Sequence, residues 1–324
     1  MLRQNNEPEV VYYPGMIVLL TGATGYLGER LLPRLIASGR KVRCLVLPSD
    51  EKDPSRLYPC EVVRGDLSEP KGLDSLLEGV DTILHSAALM PPNDPGRIRA
   101  VNFGGTAVLV DRARAEGVRR FIYLSAVSAV YPIKNAYGRS KAEAEALVAA
   151  SGLDFTILRL TMLYGEGGGL HFAELVRLMK KIPLVFPVLG PGRARLQPVY
   201  VDDAVRAVEI ALASPAAVGR TLNVSGSSVV TFNELVDAVA AAMGRRRLRL
   251  HAPLWLCRAA AAAAERLKPG SFLSRDAIVG LTQDATLDHS ELRREFGWRP
   301  LDLTSGLELY FGSAAHGDAS REAA

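Results

Sequence analysis

Two short stretches of this chain of 324 residues combine residue types and spacings that could do chemistry. The first is Tyr137-Gly138-Arg139-Ser140-Lys141. In a helix, Tyr137 and Lys141, four residues apart, share one face. A free phenol titrates at about pH 10, too high for proton exchange near neutrality, and an adjacent ammonium favours the phenolate and brings it down. A tyrosine tuned in this way can pass a proton to or from a substrate oxygen. Alone, such a pair is more often a surface contact, so its weight depends on where the fold places it. The second stretch is Thr21-Gly22-Ala23-Thr24-Gly25-Tyr26-Leu27-Gly28. Glycines at i, i+3 and i+6 let the backbone turn sharply, remove the Cβ atoms that would block a phosphate, and leave the first N–H groups of a helix facing an anion. A dinucleotide pyrophosphate is the natural guest. The spacing is G-x-x-G-x-x-G rather than G-x-G-x-x-G, so its meaning rests on what surrounds it.

Before the turn stands an apolar run over 16–20; after it a helical pattern continues to Ser38, and a second apolar run covers 42–47. This is the order of a βαβ unit. Farther on, 61–64, 82–84, 121–124 and 155–160 read as strands, and 26–38, 71–78, 98–116 and 137–150 as helices. Short apolar runs alternating with amphipathic stretches predict an α/β fold: a doubly wound parallel sheet with helices on both faces and a ligand crevice at the carboxyl ends of its strands. In that sheet the Tyr137–Lys141 pair follows the fifth strand and comes to the crevice. After Leu160 the alternation fails. Gly165-Glu166-Gly167-Gly168-Gly169 is a loop, followed by a helical 171–181 and by Pro183, Pro187 and Pro191. A strand over 199–201, a helix capped by Asp202 and running to Ala213, and a strand over 221–224 return the chain to the sheet. Helices over 231–243, within 252–264 and over 289–296 complete a smaller, mainly helical C-terminal substrate lobe. The expected organisation is a dinucleotide-binding domain over 15–164 rejoined by 195–226, a substrate lobe from 165–194 and 227–311, and loose termini at 1–14 and 312–324.

Composition narrows the function classes. The apolar share of 48 % is that of a chain able to fill a core, and a net charge of +4 is small for this length. Arg245-Arg246-Arg247 is the one basic knot; without interleaved aromatics it reads as a solvated helix end, and no nucleic-acid partner is expected. Cys44, Cys60 and Cys257 are odd in number, far apart and without metal-ligand spacing, so reduced thiols, no metal and a cytoplasmic location are expected. Glu7, Pro8 and Glu9 stand where a signal peptide needs a basic start and an apolar run. The longest apolar segment, 252–264, is broken by Arg258 and falls short of the roughly 20 residues of a membrane span. With Trp255 and Leu256 exposed, it leaves docking to a membrane surface or a protein partner open, as it does a homo-oligomer.

Taken together, Thr21 to Gly28, Asp66-Leu67 after the third strand, His85-Ser86-Ala87-Ala88 after the fourth, Asn102 in the next helix and Tyr137-x-x-x-Lys141 resemble the extended and atypical branches of the short-chain dehydrogenase/reductase superfamily, which include NAD-dependent epimerases and dehydratases. The resemblance runs from about Met16 to Leu309 and implies a Rossmann-like fold. It implies that the turn residues Gly22, Thr24, Gly25, Tyr26, Leu27 and Gly28 hold the pyrophosphate, that Asp66 and Leu67 lie at the adenine, and that Ala87 lines the cofactor. By the same resemblance Tyr137 is the general acid/base, and Lys141 also holds the nicotinamide ribose. A third catalytic hydroxyl is expected just past the fifth strand, where the chain reads Leu124-Ser125-Ala126-Val127-Ser128. Ala126 stands at a place where the family commonly has a hydroxyl, which leaves Ser125 or Ser128 for the role. Bland alternatives stay open: Asp66 as a turn cap, His85 as a satisfied core histidine, Asn102 as a helix hydrogen-bonding residue. Leu196-Gln197-Pro198 replaces the Arg-Asp usual in the sugar-nucleotide branch, and the chain looks closer to the atypical branch, which includes the nucleotide-binding accessory subunit of respiratory complex I.

Cofactor choice turns on the end of the second strand. A carboxylate about 20 residues past the glycines would bond both ribose hydroxyls of NAD. Val46-Leu47 occupies that place, and Arg43, Ser49, Lys52 and Arg56 could donate to a 2′-phosphate, which favours NADP(H), with NAD(H) as the alternative. Two functions follow. One is an oxidoreductase or epimerase moving a hydride between the nicotinamide and a small carbonyl or alcohol substrate, with Tyr137, Lys141 and Ser125 as its catalytic residues. The other is a catalytically silent nucleotide-binding module docked to a protein partner.

Overall fold

The computed structural model describes residues 15–321 apart from 70, 72, 92–93, 183, 247 and 268–274. The strands are β1 (Ile17–Thr21), β2 (Lys41–Val46), β3 (Glu61–Arg64), β4 (Thr82–His85), β5 (Arg120–Ala126), β6 (Asp154–Leu160), β7 (Leu163–Tyr164), β8 (Val185–Leu189), β9 (Arg195–Leu196), β10 (Val199–Tyr200), β11 (Arg220–Val224), β12 (Val230–Thr231) and β13 (Leu248–Ala252). The α-helices are α1 (Gly28–Ala37), α2 (Pro95–Arg99), α3 (Gly105–Glu116), α4 (Ala136–Ala149), α5 (Leu170–Lys181), α6 (Val201–Ala213), α7 (Phe232–Ala242), α8 (Leu254–Leu267), α9 (Arg275–Leu281), α10 (Ser290–Phe296) and α11 (Leu303–Arg321).

Seven strands form one sheet in the order β11-β6-β5-β4-β1-β2-β3, every neighbouring pair parallel. The doubly wound α/β fold expected from the alternation is present, with a helical C-terminal region. Side chains alternate across the strands: Val18 and Leu20 pack with Leu31, Leu35, Val205 and Val208 of α1 and α6 on one face, while Leu19, Phe121 and Ile157 pack with Leu109, Val110 and Val148 of α3 and α4 on the other. Burial on both faces is why these strands read as unbroken apolar runs. The order reverses between β1 and β4, so the loops leaving these two strands open a crevice between them.

A second apolar cluster lies outside the sheet. Phe172, Leu175, Val176 and Met179, at the i, i+3, i+4, i+7 spacing of a helical stripe, meet Leu235, Val236 and Val239 of α7 and Leu303 and Leu307 of α11. α7 starts with a capping box between Thr231 and Glu234. A polar strap at α6 is among the ties of the C-terminal region to the sheet layer. Trp298 is buried against the first core, its indole N–H donates to the Asp203 carbonyl at 2.9 Å, and the Leu301 N–H donates to the Asp203 carboxylate at 2.7 Å. Burial pushes that carboxyl up to about 6.

Four elements differ from the sequence expectation. Residues 74–78, inside the helix expected over 71–78, form turns that continue to Gly79, with N–H groups bonding carbonyls three residues back; Arg43 Nη1 also donates to Ser75, Leu76 and Glu78, and Arg112 Nη1 to Leu73. The helix expected over 98–116 is interrupted by a π-helical segment, Ala100–Gly104, at whose centre Asn102 sits. α6 begins two residues earlier than expected, with Tyr200 at its N-cap and no side-chain cap, so Asp202 lies in its first turn and does not cap it. The last helix runs through Arg321 over residues assigned from sequence to a tail, whereas residues 1–14 and Arg247 lie outside the described residues.

Candidate active site

The glycine turn lies at the mouth of the crevice and folds back on itself. Gly22 has φ +72° and the Gly25 N–H donates to its carbonyl at 3.0 Å. A Cβ on Gly28 would lie 2.0 Å from the Gly22 carbonyl oxygen, and one on Gly22 2.8 Å from the Ala87 nitrogen, so no larger residue fits either place. The N-cap of α1 is Leu27, whose side chain accepts nothing, so no side chain takes the place of an anion at this helix start. The cradle therefore fits a pyrophosphate on its backbone alone. Arg30 stacks on the Tyr26 ring, 4.7 Å from its centroid.

Beneath the turn runs a buried polar chain linking β1, β4 and α3. Thr106 Oγ1 donates to the Asn102 carbonyl at 2.5 Å and lies 3.0 Å from His85 Nε2; His85 Nδ1 is 2.7 Å from Thr21 Oγ1, which accepts the Ala87 N–H at 3.2 Å. One direction satisfies all four links: His85 carries its proton on Nε2, gives it to Thr106 and accepts from Thr21. Burial holds this imidazole neutral, down to about 3, and the Lys141 charge acts the same way. His85 is thus a satisfied core histidine that holds Ala87 against the turn, a role legible only with Thr21 and Thr106 in view.

On the far rim, Arg43 is engaged within the protein. Its guanidinium is buried against Glu61, with Nε 2.7 Å from that carboxylate, and its Nη1 serves the three carbonyls of the 74–79 turns. Asp50 comes to the turn instead: its carboxylate bonds the Thr24 side chain, which, with the Lys52 N–H at 3.0 Å, holds it below the usual carboxylate range. Lys52 Nζ reaches the Thr24 carbonyl at 3.3 Å and Glu29 at 2.5 Å. The turn Leu47 to Asp50, closed by the Asp50 N–H on the Leu47 carbonyl, makes this approach. Asp66 bonds the Ser68 N–H and hydroxyl at 2.8 and 2.7 Å, closing its own turn, and Leu67 is buried against Gly105.

The Tyr137–Lys141 pair comes to the end of β5. The Asn135 side chain caps α4 by accepting the Gly138 N–H at 2.8 Å. A Cβ on Gly138 would lie 2.5 Å from the Ser128 carbonyl oxygen, so only glycine lets the helix start press on the 3₁₀ turn Val127–Val130. Lys141 is buried; its Nζ donates to the Leu124 carbonyl at 2.5 Å and lies 4.2 Å from the centroid of the Tyr123 ring. Burial pushes the ammonium down to about 7, offset in part by Glu145 one turn on, which is itself paired with Arg159. The same burial pushes Tyr137 up to about 12. The sequence expectation was the reverse, a phenol lowered by the ammonium; here loss of water from the phenolate is the larger effect. Both candidate hydroxyls are buried beside this helix start, with no hydrogen-bond partner for Ser125 Oγ or Ser128 Oγ among the described residues.

Two further side chains hold the site together, Asn102, which the sequence singled out, and Gln283, which it did not. Asn102 accepts the Leu89 N–H at 2.7 Å and donates to the Leu89 carbonyl and to Ser140 Oγ, both at 3.0 Å, so it fastens the loop after β4 to α4 beside Lys141. Gln283, from the segment after α9, clamps Ile133 through both backbone groups at 3.0 and 2.8 Å and carries the C-terminal region onto the chain leading to Tyr137. Gln197, a marker of branch in the sequence, is a strut between the Gly226 carbonyl and the Leu287 N–H. Among the described residues no three His, Cys, Asp or Glu side chains gather as a metal site, and no helix is long and apolar enough to cross a membrane.

The model of the NAD dependent epimerase/dehydratase family matches residues 18–225, from β1 to just past β11, which takes in the glycine turn, the crevice and the Tyr137–Lys141 pair. The chain belongs to that family. The chain is 29% identical over 310 residues to a UDP-glucose 4-epimerase of Vibrio cholerae, covering 87% of this chain and 90% of the relative. It is also 29% identical over 300 residues to a ceramide reductase of Caulobacter vibrioides, covering 91% and 90%. The fold matches that of a UDP-glucose 4-epimerase of Thermus thermophilus solved with NAD, with a TM-score of 0.72, 24% identity and coverage of 92% and 98%. This family member is an enzyme of the epimerase/dehydratase type.

Proposed function

We propose that this family member moves a hydride between a nicotinamide held at the glycine turn and the carbonyl or carbinol carbon of a small-molecule substrate, with Tyr137 exchanging the proton of the substrate oxygen. The observation that carries the proposal is the junction of α4 with β5: it sets Tyr137 one helical turn from an ammonium buried on the Leu124 carbonyl, beside two buried hydroxyls with no partner. The nicotinamide, when bound, gives or takes the hydride. Lys141 supplies positive charge to a tyrosine that burial alone makes a poor acid, and a substrate oxygen accepting from Ser125 or Ser128 would be oriented toward the phenol. Residues 15–164 with 195–226 form the cofactor half in this reading, and 165–194 with 227–311 the substrate half.

We infer NAD(H) as the dinucleotide. Arg43, the strongest cation offered for a 2′-phosphate, is consumed by Glu61 and three carbonyls, and the carboxylate of Asp50 lies against Thr24 at the turn, where it favours ribose hydroxyls and repels a phosphate. Titration of NADH and NADPH into the purified protein, followed by a panel of carbonyl substrates with wild type and Tyr137→Phe, tests both statements. Binding without turnover on any substrate, unchanged by loss of the phenol, would sink the oxidoreductase reading. Tighter binding of NADPH would sink the cofactor assignment.

A further inference from the structure

Away from the crevice, β8 and β13 pair in parallel as a two-stranded ribbon, with Val185 opposite Leu248 and Pro187 opposite Leu250. Alternation gives the ribbon two unlike faces. On one, Phe186 and Val188 join the second core, Arg249 pairs with Asp237 at 2.7 Å, and His251 lies 3.1 Å from Asn233 on α7. The other face is apolar and open: Val185, Pro187, Leu248 and Leu250 are all exposed, and Leu184 beside them is 73% exposed. At Pro253 the chain turns into α8, which buries Cys257 and Ala261 and leaves Trp255, 70% exposed, and Leu256 outside.

The charges around this face are of one sign. Because the strands are parallel, Lys180 and Lys181 before β8 and Arg245 and Arg246 before β13 come to the same end of the ribbon, all four exposed. No acidic residue occurs in the sequence between Glu174 and Asp202 or between Asp237 and Glu265, the two segments that build the ribbon and enter α8. A face of leucines, with cations at one end and built from segments whose sequence carries no acidic residue, is complementary to an interface with apolar depth and negative headgroups. We propose that the outward face of the β8–β13 ribbon, together with Trp255 and Leu256, docks on a bilayer surface of anionic lipid.

The two tryptophans of the chain make the test specific, since Trp298 is buried and Trp255 is exposed. Full-length protein is mixed with vesicles of phosphatidylcholine alone or of equal parts phosphatidylcholine and phosphatidylglycerol, and sedimentation and tryptophan emission are followed. The expected result is sedimentation with the anionic vesicles, a blue shift quenched by brominated acyl chains, and loss of both as salt rises. Leu248→Gln with Leu250→Gln, and separately Arg245→Ser with Arg246→Ser, should each weaken binding by about tenfold or more, with the affinity for NADH unchanged as the check on folding. No sedimentation with anionic vesicles, or sedimentation that neither pair diminishes, would overturn the proposal. So would a wild-type dimer in sedimentation velocity that the leucine pair abolishes, because the face would then belong to a second copy of the chain.

Discussion

At the scale of single residues the site depends on what burial does to two titrating groups. Tyr137→Phe keeps the ring and removes the proton, so turnover should fall by about 10²- to 10⁴-fold while the NADH dissociation constant stays within error. Lys141 makes a prediction on stability. Folded, it loses its proton at about pH 7; unfolded, at about 10.5. Across that window the unfolded chain binds more protons, so stability rises with pH. Lys141→Met removes the buried charge and should eliminate turnover, yet melt higher than wild type below pH 7, with the gap closing as pH rises through the window. A gap that widens with pH would show that the ammonium is stabilised in place. At the rim of the turn, Asp50→Asn should narrow the preference for NADH over NADPH, read as the ratio of the two dissociation constants.

Elements show why part of this could be read in the sequence and part could not. The glycine turn and the Tyr-x-x-x-Lys pair are legible because backbone sterics and helical spacing are local constraints, satisfied within eight and five consecutive residues. Gly28→Ala makes the steric part testable: with the Gly22 carbonyl 2.0 Å from the new Cβ, NADH binding should be lost and the melting temperature lowered. Gly138→Ala should lower turnover more than NADH affinity, because it pushes α4 off the Ser128 carbonyl without touching the turn. Arg43 and the 74–79 turns were illegible for the opposite reason. The guanidinium bonds carbonyls 32, 33 and 35 residues away, a long-range tie to the 74–79 turns that no local pattern announces. Asp50 was hidden similarly, since only the turn after β2 brings its carboxylate to Thr24. The hydroxyl past β5 keeps two candidates, and Ser125→Ala and Ser128→Ala assayed side by side should single out one by its larger loss of kcat.

For the whole molecule, the ties between the sheet side and the C-terminal region include Gln283 on Ile133, Gln197 between Gly226 and Leu287, and Asp203 with the segment of Trp298 and Leu301. Asp203→Ala leaves the Leu301 N–H without its acceptor and should cost about 1–3 kcal/mol in denaturant unfolding, with Asp203→Asn costing less because an amide oxygen can still accept. The Asp203 tie also sets a schedule. Trp298 lies 95 residues beyond Asp203 in the chain, yet its side chain closes the core against α6. At a synthesis rate of about 5–20 residues per second, that flank of α6 waits on the order of 5–20 s for its cover. The nascent sheet is therefore vulnerable for that interval, and a chaperone that shields apolar helices during translation should associate with this chain between the emergence of α6 and that of Trp298.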